Sequence, residues 1–189
     1  MKINNVVVIG SGTMGSGIAA QLCNANIPVT LLDLKTEISQ KAKERIEKSR
    51  PPLLIDKSKI DGIKVGNIND DFNIVSEADW IVEAVVERID IKHDIYDKIF
   101  KQRKKGSIVS SNTSSIPISV LSEKLTDKEK NKLLTLSELK KNLSKILEAF
   151  ELGVNNLKKS AKFWEFDSNN KNINKKKWVR NDKSDNIDS

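Results

Sequence analysis

The chain has 189 residues, room for one good domain and an appendage. With 38% apolar and 31% charged residues, part of it is expected to lie outside any core. No run is long and apolar enough to span a membrane, and the single cysteine excludes an internal disulfide. The +7 net charge does not by itself point to nucleic acid, because the lysines are scattered through the first two-thirds and bunch only near the C-terminus, where solvated surface is expected.

Met1–Asn5 runs straight into an apolar stretch, which leaves no space for a signal peptide, so a cytoplasmic protein is expected. The stretch Val6-Val7-Val8-Ile9 is β-branched and reads as a strand. It feeds Gly10-Ser11-Gly12-Thr13-Met14-Gly15, a G-x-G-x-x-G spacing, and then a helix rich in small residues. Gly10 permits a tight turn, Gly12 offers no Cβ to an approaching pyrophosphate, and Gly15 lets the helix pack close to the strand. Phosphates would then sit at the helix N-terminus, where free N–H groups and the helix dipole favour anions.

A second apolar run, Val29-Thr30-Leu31-Leu32, ends in Asp33, roughly twenty residues past the glycines, where an acidic residue holds an adenosine ribose. A carboxylate there would repel a 2′-phosphate, so NAD is expected over NADP. The same position also suits a helix N-cap for the segment from Thr36.

Thr36 to Ser49 carries Ile38, Ala42 and Ile46 on one face and is expected to be helical until Pro51-Pro52. Ile63 to Ile68 is a short strand candidate. Trp80-Ile81-Val82-Glu83-Ala84-Val85-Val86-Glu87 reads as a strand buried on both faces. Ile89 to Lys104 has helical spacing and stops at Gly106, and Ser107 to Ser110 forms another strand before Ser111-Asn112-Thr113-Ser114-Ser115. This alternation predicts an α/β fold, a Rossmann-type doubly wound, mostly parallel sheet over residues 1–124. Ligands of such sheets bind beyond the C-terminal strand ends, where the glycine loop, Asp33, Glu87 and the Ser/Asn/Thr cluster would converge.

From about Lys2 to Glu123, the glycine loop, the Val82-Glu83-Ala84-Val85-Val86-Glu87 strand end and the Ser111-Asn112-Thr113-Ser114-Ser115 segment together resemble the NAD-binding domain of L-3-hydroxyacyl-CoA dehydrogenases. The resemblance implies a cofactor site of Gly10, Ser11, Gly12, Thr13, Met14, Gly15 and Asp33, with Glu87 and Lys92 on the nicotinamide side. It implies that Ser114 hydrogen-bonds the substrate's 3-oxygen, that Asn112 helps arrange that site, and that Ser49 contacts coenzyme A. NAD(H) and an acyl-CoA are the implied ligands, and no metal is expected. Taken without the resemblance, Glu87 reads as a strand-end surface charge and Lys92 as a solvated helix lysine.

The family oxidises a secondary alcohol with a histidine base in an H-F-F-N-P segment shortly after the serine cluster. These 189 residues contain no such segment, and the only histidine, His93, follows Lys92 on the helix and is expected to be exposed. The family's second, helical domain is also missing from this sequence.

The family pattern is expected to break after about Lys124. Thr126-Asp127-Lys128-Glu129 fits a capping box, and Leu136, Leu139, Leu143, Ile146 and Phe150 follow at helical spacing, predicting an amphipathic helix over 125–154. That stripe can pack on the sheet domain, pair with a second copy, or dock a partner. Residues 155–189 are dominated by Lys and Asn and are expected to be mostly disordered. Trp164 and Trp178 amid lysines would suit stacking on nucleic-acid bases, but no recognisable binding module accompanies them. The pattern as a whole reads as a cofactor half whose reading frame was truncated or shifted, inactive or weakly active alone. The alternative reading is a non-catalytic NAD-binding module.

Overall fold

The computed structural model describes residues 3–135, with Trp164–Phe166 and Trp178–Arg180. The first strand, β1 (Val6–Ile9), lies at the centre of a six-stranded sheet. Helix α1 (Thr13–Asn24) follows, then β2 (Val29–Asp33), α2 (Thr36–Lys48), a 3-10 turn at Lys57–Gly62, and β3 (Ile63–Asn67). After a second 3-10 turn at Phe72–Ser76 come β4 (Trp80–Glu83), α3 (Ile89–Gln102) and β5 (Ile108–Ser111). Two one-turn helices, α4 (Ile118–Leu121) and α5 (Asp127–Lys130), precede β6 (Leu133–Thr135). The strand order is β3-β2-β1-β4-β5-β6, every pairing parallel. This is the doubly wound arrangement expected from the β-α alternation.

The continuous apolar runs are explained by burial on both faces. Val6 and Val8 point into a core with Ile18, Ala19, Leu31, Ile46 and Val82. Val7 and Ile9 point the other way, into a core with Leu32, Ile81, Ile95, Ile99 and Val109. Neighbouring residues of one strand therefore serve opposite layers, so a polar residue in these runs is buried whichever way it points and needs a partner.

Gly10 makes the tight turn and Gly15 the close helix–strand packing expected of them. Gly10 has φ +101°, and a Cβ there would lie 2.4 Å from the Ala84 carbonyl oxygen. A Cβ on Gly15 would lie 1.8 Å from the Gly10 carbonyl oxygen, so α1 packs against β1 only because that side chain is missing.

The structure departs from the sequence reading in four places. β4 stops at Glu83 instead of reaching Glu87. Its last bond to β1 runs from Ala84 N to Ile9 O (2.8 Å), and β1 then turns away at Gly10, so residues beyond Ala84 have no ladder partner on that side. His93 is buried, not exposed, and its Nε2 lies 3.0 Å from the Val120 carbonyl oxygen of α4. Lys92 is likewise not solvated but wholly buried.

The fourth departure concerns 125–135. The capping box forms, with Glu129 accepting from Thr126 N (2.9 Å) and Thr126 Oγ1 (2.7 Å), but it caps a single turn. Leu133-Leu134-Thr135 then pairs with β5, Val109 opposite Leu133, and Leu133 is buried. The edge of β5 and the apolar layer beneath it offer this segment more than a continued helix would. The sheet therefore runs past the boundary expected at 124, and the helix expected over 125–154 does not hold for 133–135.

The rest of that helix, 136–154, lies outside the described residues. In the C-terminal unit, Trp164–Phe166 (β7) and Trp178–Arg180 (β8) pair antiparallel, and the remainder of 155–189 also lies outside the described residues.

Candidate active site: a dinucleotide crevice

The C-terminal strand ends form one rim. On its β1–β2 side the glycine loop and Asp33 are tied together. Asp33 Oδ2 accepts from Ser11 N (2.7 Å) and Ser11 Oγ (2.6 Å), and Oδ1 accepts from Leu34 N (2.7 Å). The N-cap of α2 is Lys35, so Asp33 does not cap that helix. The Ser11 carbonyl accepts from Ser16 Oγ and from Arg45 Nη2, both at 2.9 Å, which holds the loop from a second element.

The loop fits a pyrophosphate. The N-cap of α1 is Gly12, with no side chain to satisfy the first N–H groups and no acidic residue in the first turn. A Cβ on Gly12 would meet nothing within 4 Å, so the approach to those donors is open. Thr13 is exposed beside it. Met14, at 57% exposure, and Leu34, at 62%, offer apolar surface on the same rim. NAD bound here would supply the hydride-accepting nicotinamide; the chain supplies backbone donors at α1 and a carboxylate at Asp33.

On the β4–β5 side the residues are organised around Glu83, which is fully buried. Its Oε1 accepts from Lys92 Nζ (2.7 Å) and Val85 N (2.9 Å). Its Oε2 accepts from Tyr96 Oη and Ser111 Oγ, both at 2.6 Å. Such a group survives burial because four donors, one of them an ammonium, compensate its desolvation. Burial, reinforced by the Glu83 carboxylate, pushes the Tyr96 phenol far above its usual range, so it stays protonated and donates to Glu83.

Lys92 Nζ also lies 3.2 Å from Glu87 Oε2 and joins the two carboxylates. Glu87 Oε1 in turn accepts from Ser115 Oγ (2.7 Å) and from Thr113 Oγ1. These hydroxyls, with the neighbouring Lys92, hold the Glu87 carboxyl down at about 2.

The serine-rich loop is anchored at both ends. Asn112 N donates to the Glu83 carbonyl (2.8 Å), Ser111 and Ser115 are bonded as above, and Ser114 is left exposed at the crest. The fold thus brings Asn112, Ser114, Glu87 and Lys92 to one half of the rim, and the glycine loop with Asp33 to the other.

Ser49 does not join either group. It caps the C-terminal end of α2, donating to Ile46 O (2.8 Å) and accepting from Leu53 N (2.9 Å). α2 has 13 residues, about 20 Å of helix starting just past Asp33. Ser49 instead lines a cleft of about 350 Å³ with Lys48, Arg50, Leu54 and Lys57.

Sequence reading missed Glu83, Tyr96 and Arg45 as members of the site, and it put Ser111, Thr113 and Ser115 at the rim without the carboxylates they bond. A signal did exist for two of them. Glu83 is the one charge in an otherwise apolar parallel strand, and Tyr96 follows Lys92 by four residues on the same helix face. The hydroxyl contacts to Glu87 depend on a loop conformation that no local pattern encodes.

This geometry defines a class, the doubly wound domains that bind a dinucleotide across the switch point of the sheet. Comparison with known proteins narrows it. The model of the 3-hydroxyacyl-CoA dehydrogenase NAD-binding domain matches residues 5–136, and the chain belongs to that family. The match extends past Lys124, as β6 does.

A probable 3-hydroxyacyl-CoA dehydrogenase of Deinococcus radiodurans is 43% identical over 125 residues, covering 62% of this chain and 36% of that protein. A putative fatty acid oxidation complex trifunctional enzyme of Rickettsia felis is 39% identical over 140 residues, 70% of this chain and 19% of the other. Among solved structures, a diketoreductase studied for dual catalysis of dicarbonyl compounds superposes with a TM-score of 0.61 at 31% identity, over 72% of this chain and 50% of that one. The chain therefore spans half or less of the length of each of these relatives. No helix among the described residues is long and apolar enough to cross a membrane.

Proposed function

We propose that this chain is the cofactor-holding half of an NAD-dependent 3-hydroxyacyl-CoA dehydrogenase, the enzyme class that oxidises 3-hydroxyacyl-CoA to 3-oxoacyl-CoA in fatty-acid β-oxidation. The observation that carries the reading is that side-chain contacts organise each half of the rim separately: Ser11 to Asp33 on one side, and Glu87 to Lys92, Thr113 and Ser115 on the other. Gly10 to Gly15 and Asp33 hold the pyrophosphate and adenosine ribose. Ser114, exposed on an anchored loop, donates to the substrate's 3-oxygen, with Asn112 beside it. The cleft at Ser49, where Lys48, Arg50 and Lys57 outnumber the one acidic lining residue, Glu47, suits the phosphates of coenzyme A.

Removing hydride from a secondary alcohol also requires a base for the hydroxyl proton. His93, the one histidine of the sequence, sits 3.0 Å from the Val120 carbonyl and is buried, so it does not serve. The described rim has no lid to exclude water from the reacting atoms. The chain alone is therefore expected to bind NADH without turning it over.

The test is NADH fluorescence and acetoacetyl-CoA-dependent NADH oxidation on one preparation. Binding with no turnover supports the reading. Turnover at an ordinary enzymatic rate refutes it, since another group would have to carry the proton.

A further inference from the structure

The rim divides about β1, with Asp33 at the end of β2 on one side and Glu83 and Ser111 at the ends of β4 and β5 on the other. With the adenosine ribose at Asp33 and the pyrophosphate at the start of α1, the nicotinamide falls to the β4–β5 half. This step rests on the NAD reading of the rim.

The charged side chains gathered there are Glu83, Glu87 and Lys92. Lys92 is enclosed, 2.7 Å from one carboxylate and 3.2 Å from the other, and one ammonium neutralises only one of the two. The excess negative charge resides on Glu87, the member that reaches solvent at 43% side-chain exposure. Arg88 and Asp90 nearby pair with each other at 2.5 Å and add no net charge.

We propose that Glu87, as the uncompensated carboxylate of this cluster, makes the site discriminate between the redox states of the cofactor and favours NAD⁺ relative to NADH. The two forms share their adenosine, pyrophosphate and riboses, so every contact at Asp33 and the glycine loop serves both alike. They differ at the nicotinamide ring, a cation when oxidised and neutral when reduced. Only a charge at that end separates them. Thr113 and Ser115 hold the Glu87 carboxylate in place, and the same hydroxyls belong to the loop that presents Ser114.

The test uses the full chain, with NADH titrated by fluorescence and NAD⁺ measured by displacing it. Glu87→Gln keeps an acceptor for Ser115 and removes the charge. The NAD⁺ dissociation constant is expected to rise about fivefold while that for NADH stays within about twofold, the size of effect an exposed charge pair produces. Glu87→Lys should widen the same difference.

An equal loss for both forms, or an unchanged ratio in both variants, overturns the proposal and leaves the NAD reading standing. Failure of the unmodified chain to bind either form overturns both together.

Discussion

At the residue scale the decisive contacts are short and local to the rim. Gly15→Ala places a methyl where the Gly10 carbonyl oxygen already sits, 1.8 Å away. Overpacking of this kind costs about 1–3 kcal/mol or more, and urea denaturation should show the midpoint falling accordingly. Glu83→Ala would strip Lys92 of its nearer partner in a buried setting, a loss of about 3–5 kcal/mol. Replacing both with apolar residues, Glu83→Leu with Lys92→Met, should recover only part of that stability, because no buried charge is then left unpaired but the Tyr96 and Ser111 hydroxyls lose their acceptor. Glu87 has a pH consequence. Its folded carboxyl is held at about 2, below the ordinary value of 4.5. Its contribution is therefore fully present above the unfolded value and is lost as pH falls from about 5 toward 2. In acid titration, the stability of the unmodified chain should exceed that of Glu87→Gln above about pH 5 and converge with it as pH falls toward 2, a modest difference because water screens the half-exposed group.

At the scale of elements, the segment 125–135 shows how tertiary pairing outweighs local signals. A capping box and a following leucine both favour a helix, yet only one turn forms and Leu133 joins the sheet beside Val109. Two substitutions separate the contributions. Thr126→Ala removes the cap and should cost about 1 kcal/mol. Leu133→Ala removes a buried strand residue and should cost about 2–5 kcal/mol. If the cap proved the costlier loss in thermal denaturation, the assignment of β6 to the sheet would be in error. The end of β4 teaches the same lesson. Val85 and Val86 are as suited to a strand as the residues before them, but β1 has turned away at Gly10 and offers no ladder.

For the whole molecule, cofactor binding should appear as stability. A ligand that binds only the folded state adds about 2.7 kcal/mol at a hundredfold excess over its dissociation constant. NADH at that excess is expected to raise the melting temperature by several degrees, and NADPH by much less, because its 2′-phosphate meets Asp33. Equal shifts from the two would show that Asp33 does not select the ribose. The sheet order explains why one ligand can bridge residues far apart in the chain: parallel strands all end at the same edge.

The amino-acid sequence by itself determined the parts whose chemistry is local. The glycine spacing, the carboxylate after the second strand and the two-sided apolar runs each follow from backbone sterics or burial over a few residues, and all three were legible before any fold was known. The serine cluster and its place at the rim were legible too, through strand alternation and family resemblance. What only the tertiary structure decided is where the polar groups point. Lys92 and His93 sit on a helix face that sequence reads as ordinary surface, and both are buried because α3 packs against the β4–β5 layer and α4 closes over it. Glu83 became the hub because its strand ends where β1 departs, which turns a lone charge toward the ends of α3 and β5 instead of water. Local pattern records which residues avoid water; it does not record which buried donors will meet a given carboxylate, because that depends on elements tens of residues apart.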